Sequence, residues 1–94
     1  RIPYGQEITK KKLDMIDAAE QYLLDMGFKQ IRVRHHGDIA RIEVAPEERR
    51  KFFDEKVMDS VSAKLRAIGF SYVALDLDGY RTGSMNEVLD RPAN

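Results

Sequence analysis

The sequence has no cysteine and no tryptophan, and only 3 prolines and 6 glycines among its 94 residues. Without cysteine the chain can supply no disulfide framework, no thiolate metal site and no cysteine nucleophile. It also lacks an excess of either charge. Its 16 basic and 16 acidic side chains cancel, so composition gives no general attraction to nucleic acid or to an anionic membrane. No apolar run approaches membrane-spanning length and no signal peptide is recognisable, which leads to the expectation of a soluble, cytoplasmic protein. A Walker loop, a dinucleotide glycine fingerprint and a Ser-His-Asp order are absent too, and His35 and His36 have no further histidine or cysteine at zinc-ligand spacing. With 43% hydrophobic residues the chain can bury one small core, hence a single domain over 1–94. It opens on Arg1 rather than methionine, which at this length is expected of a piece of something longer.

What is present is most informative between Gln30 and Val44. Two β-branched runs flank Gly37-Asp38, and glycine in the first place of a two-residue loop is the signature of a type II′ hairpin. That loop sets the register: His36 faces Ile39, Arg34 faces Arg41, Val33 faces Ile42, Arg32 faces Glu43 and Ile31 faces Val44. Every apolar pair then falls on one face. The other face sets Arg34 directly against Arg41, a like-charge pair that destabilises a sheet, with Arg32 on the same side. Either something anionic sits there, or the long arginines splay apart in solvent.

Before the hairpin, Thr9 is placed to cap a helix running to Met26, with Leu13, Ile16, Ala19, Leu23 and Met26 on one stripe and Gly27 as the stop. Lys10, Lys11 and Lys12 oppose its dipole, which marks this end for fraying or for an acidic partner. Glu20 flanks the stripe, as a snorkelling carboxylate or a ligand. After the hairpin, Pro46-Glu47-Glu48 is a favourable first helical turn, and Phe53, Val57, Val61, Leu65 and Ile68 continue at helical spacing with a break near Asp54. Phe70 to Asp78 alternates as a third strand. Shifting the chain by 42 positions lays Leu23, Met26, Gly27, Phe28, Ile31 and Val33 on Leu65, Ile68, Gly69, Phe70, Val73 and Leu75, so a helix-Gly-Phe-strand unit occurs twice. The expected fold is α+β, in the order α-β-β-α-β: a three-stranded, wholly antiparallel sheet of order 2-1-3, both helices on its apolar face. Its other face carries Arg32, Arg34 and Arg41 beside Glu43, Asp76 and Asp78, and is either wet or covered by another subunit or domain.

In Gly79-Tyr80-Arg81-Thr82-Gly83-Ser84-Met85-Asn86-Glu87, Ser84 and Glu87 have capping-box spacing, so a short C-terminal helix is expected to start there. Gly83 permits close approach of a ligand to backbone, the helix start offers free N–H groups and Arg81 adds a forked cation. Those are parts of a phosphate site, although such boxes also occur where nothing binds.

Three ordered stretches, Arg1-Ile2-Pro3-Tyr4-Gly5, Ile31 to Val44 and Leu77 to Glu87, together resemble the C-terminal third of LarE-type proteins. These are sulfurtransferases of the PP-loop ATP-pyrophosphatase superfamily that build the nickel-pincer cofactor of lactate racemase. The resemblance covers nearly the whole chain. It implies a parent enzyme that uses ATP and magnesium to adenylate a carboxylate of pyridinium-3,5-biscarboxylic acid mononucleotide, then delivers sulfur from a cysteine or an iron-sulfur cluster to form a thiocarboxylate. The PP-loop and the donor cysteine would lie upstream of Arg1, so the chain alone is expected to be catalytically silent. By the same resemblance Arg1, Arg32, Arg34 and Arg81 gather around the phosphate and carboxylates of the substrate, with Ser84 adding a hydroxyl or N–H. Planar guanidiniums suit such oxygens. Glu20 and Glu43 are weaker candidates for a carboxylate cation site or for orienting the arginines. Homo-oligomers are implied as well, with neither nucleic acid nor membrane as partner.

Two other readings stay open: a non-catalytic interaction domain whose polar sheet face meets a partner protein, and part of another PP-loop enzyme, GMP-synthase-like or tRNA-thiolating.

Overall fold

The computed structural model describes residues 9–80. Arg1, Arg81, Ser84 and the expected C-terminal helix lie outside that range.

Thr9 caps the first helix, α1 (Lys10–Asp25), its side-chain oxygen accepting the Lys12 N–H at 3.1 Å. The helix buries Ala19 and Leu23, with Met15, Ile16 and Tyr22 packed around them. Leu13 and Met26, expected on the buried stripe, are 48% and 36% exposed, because α1 buries its Ala19–Leu23 turn. At its end Gly27 takes φ 107° and the Phe28 N–H returns to the Leu23 carbonyl at 3.2 Å, the closing bond of a Schellman motif. The second unit repeats this. Gly69 has φ 139°, Phe70 N–H returns to the Leu65 carbonyl at 3.2 Å, and Leu23, Leu65, Phe28 and Phe70 are all buried.

The hairpin β1 (Ile31–His36) and β2 (Ile39–Val44) has the register expected from parity at every pair. Gly37 has φ 56° while Asp38 has no positive φ, as a type II′ turn requires. A 3₁₀ helix (Pro46–Phe53) follows, and Asp54 ends it by capping α2 (Glu55–Ile68), accepting the Lys56 N–H at 2.9 Å. The expected break at Asp54 is therefore real, and it shifts the helical phase. Phe52 takes the core place given above to Phe53, stacking on Phe28 with ring centroids 5.1 Å apart, and Phe53 is left 81% exposed.

The sheet is α+β in class, as expected, but its order is β1-β2-β3 and it is mixed. The strand β3 (Tyr72–Leu75) runs parallel to β2, not antiparallel to β1, so the expected order 2-1-3 and the wholly antiparallel pairing are corrected. The reason lies on the far edge of β1. There the Glu20 carboxylate accepts the Val33 N–H at 2.9 Å, taking a donor that a strand beside β1 would need. The crossover through α2 instead lays β3 beside β2, where Ser71 and Tyr72 N–H donate to the Asp38 carbonyl and Asp76 N–H donates to that of Ile42. The strand is also shorter than its alternating sequence. The Asp76 side chain accepts the Asp78 N–H at 2.9 Å, and this local turn replaces further ladder, leaving Leu77 78% exposed.

Ala40, Ile42 and Val44 of β2 form the floor of the core under both helices. Glu48 ties the 3₁₀ helix to the loop before β1. Buried to 6% exposure, it accepts N–H groups from Lys29 and Gln30 and the Lys51 ammonium, which also bonds the Gly27 carbonyl.

Candidate functional site

The face of the sheet turned away from the helices is built in rows by the register. Arg32, Glu43 and Asp76 stand at one end, Arg34, Arg41 and Ala74 across the middle, and His36, Ile39 and Tyr72 at the other end. The like-charge pair Arg34–Arg41 is relieved from inside the chain. Glu43, two residues from Arg41 on the same strand and diagonal to Arg34, reaches Arg41 Nη2 at 2.8 Å and Arg34 Nε at 3.4 Å. The two flanking guanidiniums cover it, and Glu43 is only 8% exposed. A bound anion is thus not needed to explain the pair.

Charge on this face is nevertheless incompletely matched. Three guanidiniums meet two carboxylates, and Asp76 stands 3.9 Å from Arg41 Nε, too far for a hydrogen bond. Arg41 Nε is buried and has no hydrogen-bond partner among the described residues. Arg32 makes no ion pair among the described residues; its guanidinium lies over the Tyr80 ring, 5.4 Å from the centroid. The turn from Asp76 to Gly79 places that ring. Tyr80 N–H donates to the Val44 carbonyl at 2.6 Å, and Gly79, at φ 82°, passes so near that a Cβ there would stand 2.6 Å from the same oxygen.

Of the candidate residues, Arg32 and Arg34 share this face with Glu43, two positions apart on β1. Glu20 is elsewhere, bonded to the edge of β1. Among the described residues no three carboxylate, histidine or cysteine groups come close enough to hold a metal ion. Arg41 belongs with the arginine face although it stands outside the candidate set; the register already put it opposite Arg34. Tyr80 is a partner that no periodicity signals, because a glycine-dependent turn delivers it. His36 is exposed beside the turn, whereas His35 packs on Phe70 from the helix-covered face, ring centroids 5.0 Å apart, its Nδ1 buried and without a partner among the described residues. Burial, with Lys12 and His36 nearby, holds its pKa below the ordinary value against the pull of Asp38. No described helix is long and apolar enough to cross a membrane.

No protein-family model matches the chain. Two curated proteins are similar to it over 97% of its length: an uncharacterized protein of Synechocystis sp., 42% identical over 91 residues, and the pyridinium-3,5-bisthiocarboxylic acid mononucleotide synthase of Lactiplantibacillus plantarum, 47% identical over 92 residues. The chain spans about a third of each, 34% and 32% of their lengths. With that identity across nearly all its residues, the chain is similar to about a third of a LarE-type protein.

Proposed function

We propose that this chain is the anion-binding and assembly part of an ATP-dependent sulfurtransferase that converts carboxylates of pyridinium-3,5-biscarboxylic acid mononucleotide to thiocarboxylates, working in the cytoplasm as a homo-oligomer. ATP and magnesium are held by the remainder of the parent. The chain has no cysteine, so the sulfur also comes from elsewhere and the chain alone is silent. The observation that carries this reading is the arginine face. Arg32 and Arg34 project together from β1 with Arg41 opposite, and Glu43 meets the charge of only part of the set. A mononucleotide bearing two carboxylates supplies the oxygens that such planar, forked donors take in pairs. In this reading Arg1, Arg81 and Ser84 complete the site, and Tyr80 places its ring against the Arg32 guanidinium.

The test is a phosphate titration of the chain followed by two-dimensional NMR, with Arg32→Ala/Arg34→Ala as the control. Shifts that cluster at Arg32, Arg34, Arg81 and Ser84, and vanish in the control, support one converged anion site. Shifts that are absent or scattered over the surface count against it.

A further inference from the structure

The sheet guards one of its edges and leaves the other open. On β1, Glu20 takes the outward Val33 N–H. On β3, the bonds to β2 use Tyr72 and Asp76, so the alternation of the ladder turns the N–H and C=O groups of Val73 and Leu75 outward. Among the described residues no strand pairs with them. β3 carries neither proline nor lysine, the usual means of blunting an edge. Beside it a groove of about 310 Å³ runs between β3 and α2, with Met58, Ser62, Val73 and Leu75 in its walls. Tyr72, exposed to 66%, stands on the same strand. Tyr80, the last described residue, donates its N–H to the Val44 carbonyl of β2, and its ring reaches over Arg32 of β1.

We propose that the open edge of β3 pairs with β3 of a second copy of this chain, antiparallel about a two-fold axis near Ala74, joining two three-stranded sheets into one of six strands. This specifies the assembly half of the function proposed above and is independent of the anion half. A second copy fits because α2, alongside the edge, is self-complementary in charge. Ser62 and Ala74 line the same groove, so an axis at Ala74 also passes near Ser62. On either side of Ser62 are the exposed Asp59, which borders that groove, and the exposed Arg66, which lies beside Phe70 and Ser71 at the start of β3. The two-fold turns Asp59 toward the second copy's Arg66, and Arg66 toward its Asp59, so the match is made twice. The register agrees: Val73 opposite Leu75 of the second copy keeps the apolar side of one sheet in line with that of the other.

Sedimentation velocity of the chain over a concentration series reads the dimer, and amide exchange reads the edge. The Val73 and Leu75 amides should gain protection as the dimer forms, while that of Ala74, turned toward β2, is protected throughout. Arg66→Asp or Asp59→Arg alone sets like charges across the axis and weakens the dimer by about tenfold or more, and the double substitution in one chain restores it. Both positions are exposed, and circular dichroism verifies that each variant is folded. A chain that stays monomeric to about 1 mM overturns the proposal. So does a dimer whose strength ignores all three variants. The phosphate titration is unchanged in either case.

Discussion

Removing the buried Glu48 carboxylate should loosen the tie between the 3₁₀ helix and the loop before β1. That carboxylate lies inside a cradle of donors, with Lys29 N–H at 2.9 Å, Gln30 N–H at 3.1 Å and the Lys51 ammonium at 2.9 Å. Burial pushes its pKa up, but the bonds from Lys51 and from the Lys29 and Gln30 N–H groups outweigh burial and hold it below the ordinary 4.5. Hydrogen bonds to a charged group contribute about 1.5–3 kcal/mol each, yet Lys29 and Gln30 are exposed residues, so water can replace part of what is lost. Glu48→Ala should therefore destabilise by about 2–3 kcal/mol, which for a domain of this size lowers Tm by roughly 10–20 °C. Glu48→Gln keeps the shape but loses the charge and turns one acceptor oxygen into an NH2 donor that faces donors, so it should cost about 1–2 kcal/mol. The pH dependence has a definite sign. With the folded pKa below the unfolded one, the contribution of Glu48 is complete above pH 4.5 and is lost as pH falls through the folded value. Thermal unfolding followed by circular dichroism at several pH values should show the gap between native and Glu48→Gln proteins narrowing below pH 4.5. A Glu48→Ala protein within about 0.5 kcal/mol of the native one at pH 7 would refute the keystone role.

Glu20→Ala frees the Val33 N–H at the edge of β1; a loss of about 1–2 kcal/mol and fast exchange of that one amide are expected, and unchanged exchange would show that the bond does not guard the edge. Gly79→Ala drives a Cβ against the Val44 carbonyl at a positive φ, so it should cost about 1–3 kcal/mol and remove the ring-current shift of Tyr80 from the Arg32 side-chain resonances. His35 has its pKa lowered by burial, with Lys12 and His36 adding to it and Asp38 opposing. The folded chain thus binds protons less readily than the unfolded one, and the stability due to neutral His35 is complete above pH 6.5 and lost as pH falls through the folded value. In His35→Leu the slope of Tm against pH just below 6.5 should flatten; an unchanged slope would point to other groups.

The arginine face shows how far a sequence carries a site. Parity about Gly37-Asp38 places Arg32, Arg34, Arg41 and Glu43 on one face, because the period of two along a strand is local geometry. Whether Glu43 is a ligand or a counter-ion is not local. It is decided by its lying on the strand of one arginine and diagonal to the other, which together cover it. Tyr80 was beyond reach for a similar reason, since it arrives over Arg32 through a turn that closes against Val44 and Pro46, residues far back in the chain.

The sequence by itself determined the elements that rest on contacts between near neighbours: the Thr9 cap, the break at Asp54, the two helix-Gly-Phe closures and the hairpin with its register. Only the tertiary structure decided where β3 goes. The hairpin has two edges; a carboxylate on α1 bonds to one, and the crossover helix delivers the strand to the other. The helical phase broken at Asp54, which buries Phe52 and exposes Phe53, was settled in the same way, by which aromatic ring could stack on Phe28 across the core.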